Sequence, residues 1–197
     1  MTPKRQWECE AKLIYSVIVA GKSAKFADEK TKWLLSFKEG DESPFDILRR
    51  LVTECRLKVV LQEIRAGNYT KLEKCFTTLV KTPIDFEVCT PADLERIHGI
   101  GPKTSRFFIM WIRPTAKYAA LDVHVLRWLN SIGVKAPRST PSGSTYARLE
   151  QIFLAEAAKR GKTPRELDLE IWEAGSTVSD EATSVAVRSN NIPERKP

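Results

Sequence analysis

The chain has 197 residues, with 32 Lys and Arg against 25 Asp and Glu, a formal net charge of +7. That length supports one good hydrophobic core, split at most into two lobes, and the positive balance suits a polyanionic partner without demanding one. Cys9, Cys55, Cys75 and Cys89 are widely spaced and form no CxxC pair, which argues against a zinc site and against a secreted disulfide framework; with apolar neighbours on helices they read as core packing.

The apolar run Leu13–Ala20 follows a short polar N-terminus. It is far below the roughly twenty residues a membrane span needs, and Glu8, Glu10 and Lys12 at its start do not fit a signal peptide. A helix apolar nearly all round is a buried central helix. No membrane partner is expected, and the location expected is cytoplasmic and nucleoid-associated, or nuclear in a eukaryote. Phe26 to Phe37 reads as the next helix, with Trp33, Leu34 and Phe37 inward. Ser43-Pro44 opens another, carrying Leu48, Leu51, Val52 and Cys55 at helical spacing and running toward Leu57, Val60, Leu61 and Ile64, either continuously or after a break. Gly67-Asn68 ends that run, and a helix from Tyr69 to Val80 precedes a turn at Lys81-Thr82-Pro83.

The stretch from Leu94 to Leu129 is the most informative. Thr90-Pro91-Ala92-Asp93 is a helix start with a Thr N-cap, Pro in the first turn and an acid close behind. Leu94 and Ile97 then face inward, and Gly99-Ile100-Gly101 forms a hairpin before a second helix. Glycines permit backbone conformations that side chains forbid and let a ligand approach the main chain. A loop leading into a helix N-terminus suits a phosphate and holds a nucleic-acid backbone without reading its sequence. Gly99, Ile100, Gly101 and Arg106 are the expected backbone contacts, with Lys22, Lys25 and Arg127 as further candidates; an ordinary helical turn with a glycine C-cap is the plainer alternative.

Lys103 follows the hairpin, and Asp122 comes 19 residues later at the mouth of a third helix, Val123 to Leu129. A cation at a helix N-terminus opposes the macrodipole. A nucleophilic lysine has to be neutral, and a dipole's positive end and partial burial both favour the neutral amine. The alternative is a surface lysine that touches phosphate. Asp122 is a good N-cap, and N–H donors at a helix start favour a carboxylate's charged form, the form that offsets a developing oxocarbenium ion. His98 and His124 take no catalytic role.

Gly133 to Gly143 is loop-like, Tyr146 to Arg160 is a helix with Gly161 as its C-cap, and Thr163-Pro164-Arg165-Glu166 is a capping box opening the last helix, Leu167 to Ala174. Residues 176–197 are polar and read as a loosely ordered tail. The whole is all-α.

The hairpin, Lys103 and Asp122 together resemble the helix-hairpin-helix (HhH-GPD) DNA glycosylase/AP lyase superfamily. The resemblance implies a two-lobed helical fold over 1–175, with 22–136 as a hairpin-bearing barrel and 1–21 plus 137–175 as the second lobe. It implies a monomeric bifunctional enzyme of base excision repair acting on double-stranded DNA with a damaged base or abasic site. Lys103 would be the Schiff-base nucleophile and Asp122 the assisting acid. Relatives that carry an iron–sulfur cluster place four cysteines after that Asp; none follows Cys89 here, so no cofactor or metal is expected. The short length and Glu166-Leu167-Asp168-Leu169-Glu170-Ile171-Trp172 are most similar to archaeal-type 8-oxoguanine DNA glycosylases, the second Ogg group, where the corresponding Asp and Trp line the base pocket. Read from the residues alone, Asp168 and Trp172 either contact a flipped base or belong to a core helix. That group ends in a lysine soon after this helix, whereas this chain passes Gly175 and continues through Asp180 and Glu181. A non-catalytic DNA-binding module, or a monofunctional glycosylase with Lys103 on a phosphate, are the alternatives.

Overall fold

The structure, a computed structural model, describes residues 1–175; the tail over 176–197 lies outside the described residues. Among the described residues all regular structure is helical, with no strand. In chain order the helices are α1 (Pro3–Ile18), α2 (Ala24–Leu35), α3 (Pro44–Thr53), α4 (Leu57–Glu63), α5 (Tyr69–Leu79), α6 (Pro91–Glu95), α7 (Pro102–Ile112), α8 (Val123–Ser131) and α9 (Gly143–Lys159), followed by α10 over 164–175. None of them is long and apolar enough to cross a membrane.

The chain divides into two compact units, Met1–Ala120 and Leu121–Pro197. The expected grouping joined 1–21 to 137–175. In the structure α1 packs on α2, α3 and α7, all inside the first unit.

In the first unit, α1 starts at Thr2, whose hydroxyl accepts from the Arg5 N–H. It buries Cys9, Leu13, Ile14, Val17 and Ile18. It also buries Glu10, whose carboxylate accepts from the Gln6 amide and, across to α3, from the Phe45 N–H, both at 3.0 Å. That second bond satisfies a first-turn donor which α3 cannot pair internally. Ser43 and Asp46 close a capping box on the same helix start. Phe45, Phe86 and Phe108 continue the core edge to face, with centroids 6.0 and 5.7 Å apart.

Two inward assignments are corrected. The buried face of α2 is Ala27, Thr31 and Leu34, while Trp33 is 43 % exposed, with the Lys30 ammonium 5.2 Å from its ring. Cys9, Cys75 and Cys89 are core residues, but Cys55 is exposed. It lies past the end of α3 in a left-handed conformation, φ 56°. There the Cys55 N–H reaches the Val52 carbonyl at 3.1 Å and the Arg56 N–H the Leu51 carbonyl at 2.9 Å. This is a Schellman motif, and it makes the break between α3 and α4. Glycine there would remove a steric cost of about 1–2 kcal/mol and add back about 0.5–1 kcal/mol of chain entropy. Cys55→Gly should therefore raise the melting temperature modestly; a fall would show that the thiol contributes contacts of its own.

In the second unit Val125, Leu126, Leu129, Tyr146, Leu149, Phe153, Leu167 and Ile171 are buried, and Trp128 meets Phe153 edge to face at 5.9 Å. The α9 helix begins at Gly143, three residues before the expected Tyr146. Gly161, at φ 64°, follows its last turn in a second Schellman arrangement, with Lys162 N–H on the Ala157 carbonyl at 3.0 Å. Thr163 and Glu166 form the expected capping box for α10.

Candidate functional site

The hairpin is built from both ends. Asp93 accepts from the Thr90 N–H at 2.9 Å and hydroxyl at 2.7 Å, and the Thr90 hydroxyl accepts from the Asp93 N–H at 3.4 Å. The Thr90 hydroxyl bond, then the backbone bond, hold the Asp93 carboxyl below its ordinary range. Leu94, Ile97 and Ile100 are all buried and fasten the turn to the core. Gly99 sits at φ 89°, and a Cβ there would come 3.5 Å from Cys75 Cβ and 3.6 Å from Lys71 Cε. Gly101 is extended, and a Cβ there would meet nothing within 4 Å. The turn itself thus requires glycine at 99. At 101 the protein's own geometry does not, and the main chain there stays open to close approach.

Glu95 ties α6 to α7. Its Oε1 accepts from the Ser105 hydroxyl and from the Arg106 guanidinium, both at 2.8 Å. Arg106 also donates to the Pro102 carbonyl at 3.3 Å, and its guanidinium lies 6.0 Å from the Tyr118 ring. The arginine expected on a DNA backbone is therefore engaged in the hairpin's own latch.

Lys103 lies in the first turn of α7, half-buried. Its N-cap is Gly101, which offers no side chain to accept from that turn, so the leading N–H groups lack capping. The ammonium stands 4.8 Å from the Phe107 ring centroid, one turn along. Beside the hairpin a small pocket is lined by Lys22, Asn68, Lys71, Cys75 and Gly99. It joins Lys22, a sequence candidate, to the hairpin glycine. Lys71 was missed, because nothing in its local pattern separates it from other helical lysines. Burial pushes the Cys75 thiol up to about 12, against the opposing charge of Lys71, so this thiol is an inert wall. Lys25 lines a different groove.

Asp122, in the second unit, is half-buried and caps α8; its Oδ1 accepts from His124 N–H at 2.9 Å and Val125 N–H at 3.0 Å. The residue before it is held on both sides. The Leu121 N–H donates to the Tyr146 hydroxyl oxygen at 3.2 Å, and the Thr140 hydroxyl donates to the Leu121 carbonyl at 2.9 Å. Tyr146 and Thr140 are positioning residues that sequence reasoning missed, since each lies far along the chain. His98 and Arg127 are exposed and His124 is half-buried.

On α10, Leu167 and Ile171 are buried while Trp172 is 44 % exposed and Asp168 half-buried. Burial lowers the Arg165 pKa and the Asp168 charge opposes that shift. Trp172 therefore lies outside the core. Trp172→Ala should change stability by under about 1 kcal/mol, against the roughly 3–5 kcal/mol lost on truncating a buried Trp. Thermal melting measures it, and a loss in the larger range would restore the core reading. The end of α10 closes on α8: a Cβ on Gly175 would stand 2.5 Å from His124 Nδ1.

No known protein family matches the chain, and no solved structure matches it.

Proposed function

We propose that this chain is a bifunctional DNA glycosylase/AP lyase with the HhH-GPD fold, which excises an oxidised base, 8-oxoguanine foremost, from double-stranded DNA. The observation that carries the reading is Lys103, half-buried in an uncapped first turn directly behind a glycine hairpin. The hairpin and the leading N–H groups of α7 would hold a phosphate, with Lys22 and Lys71 beside Gly99 adding charge.

The damaged nucleotide is extruded from the stack. The Lys103 ammonium gives up a proton and its amine attacks the anomeric carbon; a C–N bond forms, and the glycosidic bond breaks with its electron pair leaving on the base, which takes up a proton. Asp122 offsets the positive charge that develops on the sugar. The sugar ring opens to an imine, a proton leaves C2′, and the C3′–O bond breaks to nick the strand. Asp168 and Trp172 would contribute to base recognition.

The pocket of Lys22 and Lys71 favours backbone binding whether or not chemistry follows. The second reading is therefore a non-catalytic DNA-binding module, or a monofunctional glycosylase in which Lys103 holds a phosphate. A panel of duplexes, each with one 8-oxoguanine, uracil, thymine glycol or abasic site, assayed with and without borohydride, decides between them. Base release with covalent trapping supports the bifunctional enzyme. Release without trapping leaves the monofunctional one, and binding without release leaves the module.

A further inference from the structure

One side of α2 alternates cation and ring. Lys22, Phe26, Lys30 and Trp33 follow at helical spacing. The Lys22 ammonium lies 5.4 Å from the Phe26 ring centroid, and the Lys30 ammonium lies 5.4 Å from Phe26 and 5.2 Å from Trp33. At that distance Lys30 borders the indole beyond van der Waals contact, and Trp33 stays 43 % exposed while Ala27, Thr31 and Leu34 form the buried face. Among the described residues neither Lys22 nor Lys30 is paired with a carboxylate, although Lys32 of the same helix is bridged to Asp28 at 2.7 Å.

The strip is continuous with the hairpin pocket. Lys22 lines that pocket beside Gly99, and a Cβ on Gly67 would come 3.5 Å from its Nζ, so this ammonium rests against the turn before α5. From Lys22 the strip runs about 16 Å along α2 to Trp33. Its chemistry narrows the occupant. Bases inside a duplex are stacked on one another and offer only their edges in the grooves. An open ring face is a platform for an unstacked base, and cations between the rings suit the phosphates that join such bases. Glu29 stands at one edge of the strip and is exposed, so its charge would oppose a strand there.

We propose that this side of α2 binds a single DNA strand leaving the duplex at the hairpin, with one base stacked on Trp33 and the phosphates on Lys22 and Lys30. The favoured ligand is then a duplex with a single-stranded extension. The inference rests on the DNA reading above and goes beyond it, because the hairpin would hold a duplex backbone whether or not such a strand is present.

The test compares binding of the full chain to a blunt undamaged duplex and to the same duplex with a thymidine overhang, on either strand, at several salt concentrations. Wild type should prefer the overhang by about tenfold or more, the scale of one base–aromatic stack. Trp33→Ala should lose most of that preference, and Trp33→Phe should keep most of it. Lys30→Gln should weaken overhang binding and lower its salt slope by about 0.7, the value for one phosphate of a single strand. Glu29→Gln should tighten it. Affinity for the blunt duplex should not change in these variants. A wild type that binds both duplexes alike, or a Trp33→Ala variant that keeps the preference, overturns the assignment. So does an equal loss on blunt and overhang duplexes, which would make Trp33 a support of the fold. Poly-glutamate bound as tightly as the overhang, with the same dependence on Trp33, would assign the strip to acidic protein segments instead. Borohydride trapping on an abasic duplex separates the two levels. Trapping without overhang preference sinks the strip alone, and a Trp33-dependent preference without trapping sinks the lyase reading alone.

Discussion

Borohydride should fix the wild-type chain covalently to an 8-oxoguanine or abasic duplex, and Lys103→Gln should not be trapped at all. Only reduction of an imine joins protein to sugar, and an amide nitrogen cannot form one. Glutamine is of similar bulk and remains compatible with the first turn of a helix. The substitution also loses the contact with the Phe107 ring, worth about 0.5–1 kcal/mol at a partly open site, so the fold should persist. Duplex binding should survive with a salt dependence weaker by about one charge. The readouts are a gel-shifted covalent band for trapping and anisotropy for binding. A Lys103→Gln variant that traps as efficiently as wild type would remove Lys103 as the nucleophile, and one that still releases base would make it a phosphate contact.

Asp122→Asn should slow base release by about a hundredfold, the usual scale for losing one electrostatic contact to the transition state. Its melting temperature should scarcely move. Asparagine is as good an N-cap as aspartate, and the Asp122 oxygen accepting from His124 and Val125 has an amide counterpart. Asp122→Ala should lose the rate and also about 0.5–2 kcal/mol of stability, because those two N–H groups lose their cap. Single-turnover kinetics beside thermal melting tells charge from cap. If Asp122→Asn keeps its rate while Asp122→Ala loses rate only in step with stability, Asp122 is a structural cap and nothing more.

What could be read in the sequence was mostly local. Thr90 with Asp93 and Thr163 with Glu166 close their boxes within one turn of helix, and Asp122 caps the helix it precedes. Such bonds depend on the chain's own geometry over three or four residues, so residue type and spacing suffice. Contacts between distant residues were not legible. Arg106 turns inward because Glu95 lies 11 residues back, and Leu121 is held by a phenol 25 residues on. Trp33, expected inward, faces outward because the inward face of α2 depends on what packs against it, and hydrophobicity alone favours the indole. Cys55 was read as a core residue because its spacing continues α3; the left-handed cap that ends that helix leaves no mark on a cysteine.

Glu95 holds the two sides of the hairpin together through Ser105 and Arg106, and Ile100 is sunk in the core beneath its tip. A loose loop that orders around a partner gives up roughly 1–2 kcal/mol of backbone entropy for each residue it immobilises. A turn already locked on both flanks has little such freedom left to lose, so ordering of the hairpin would subtract little from the affinity of the phosphate contact proposed at Gly99, Gly101 and the start of α7.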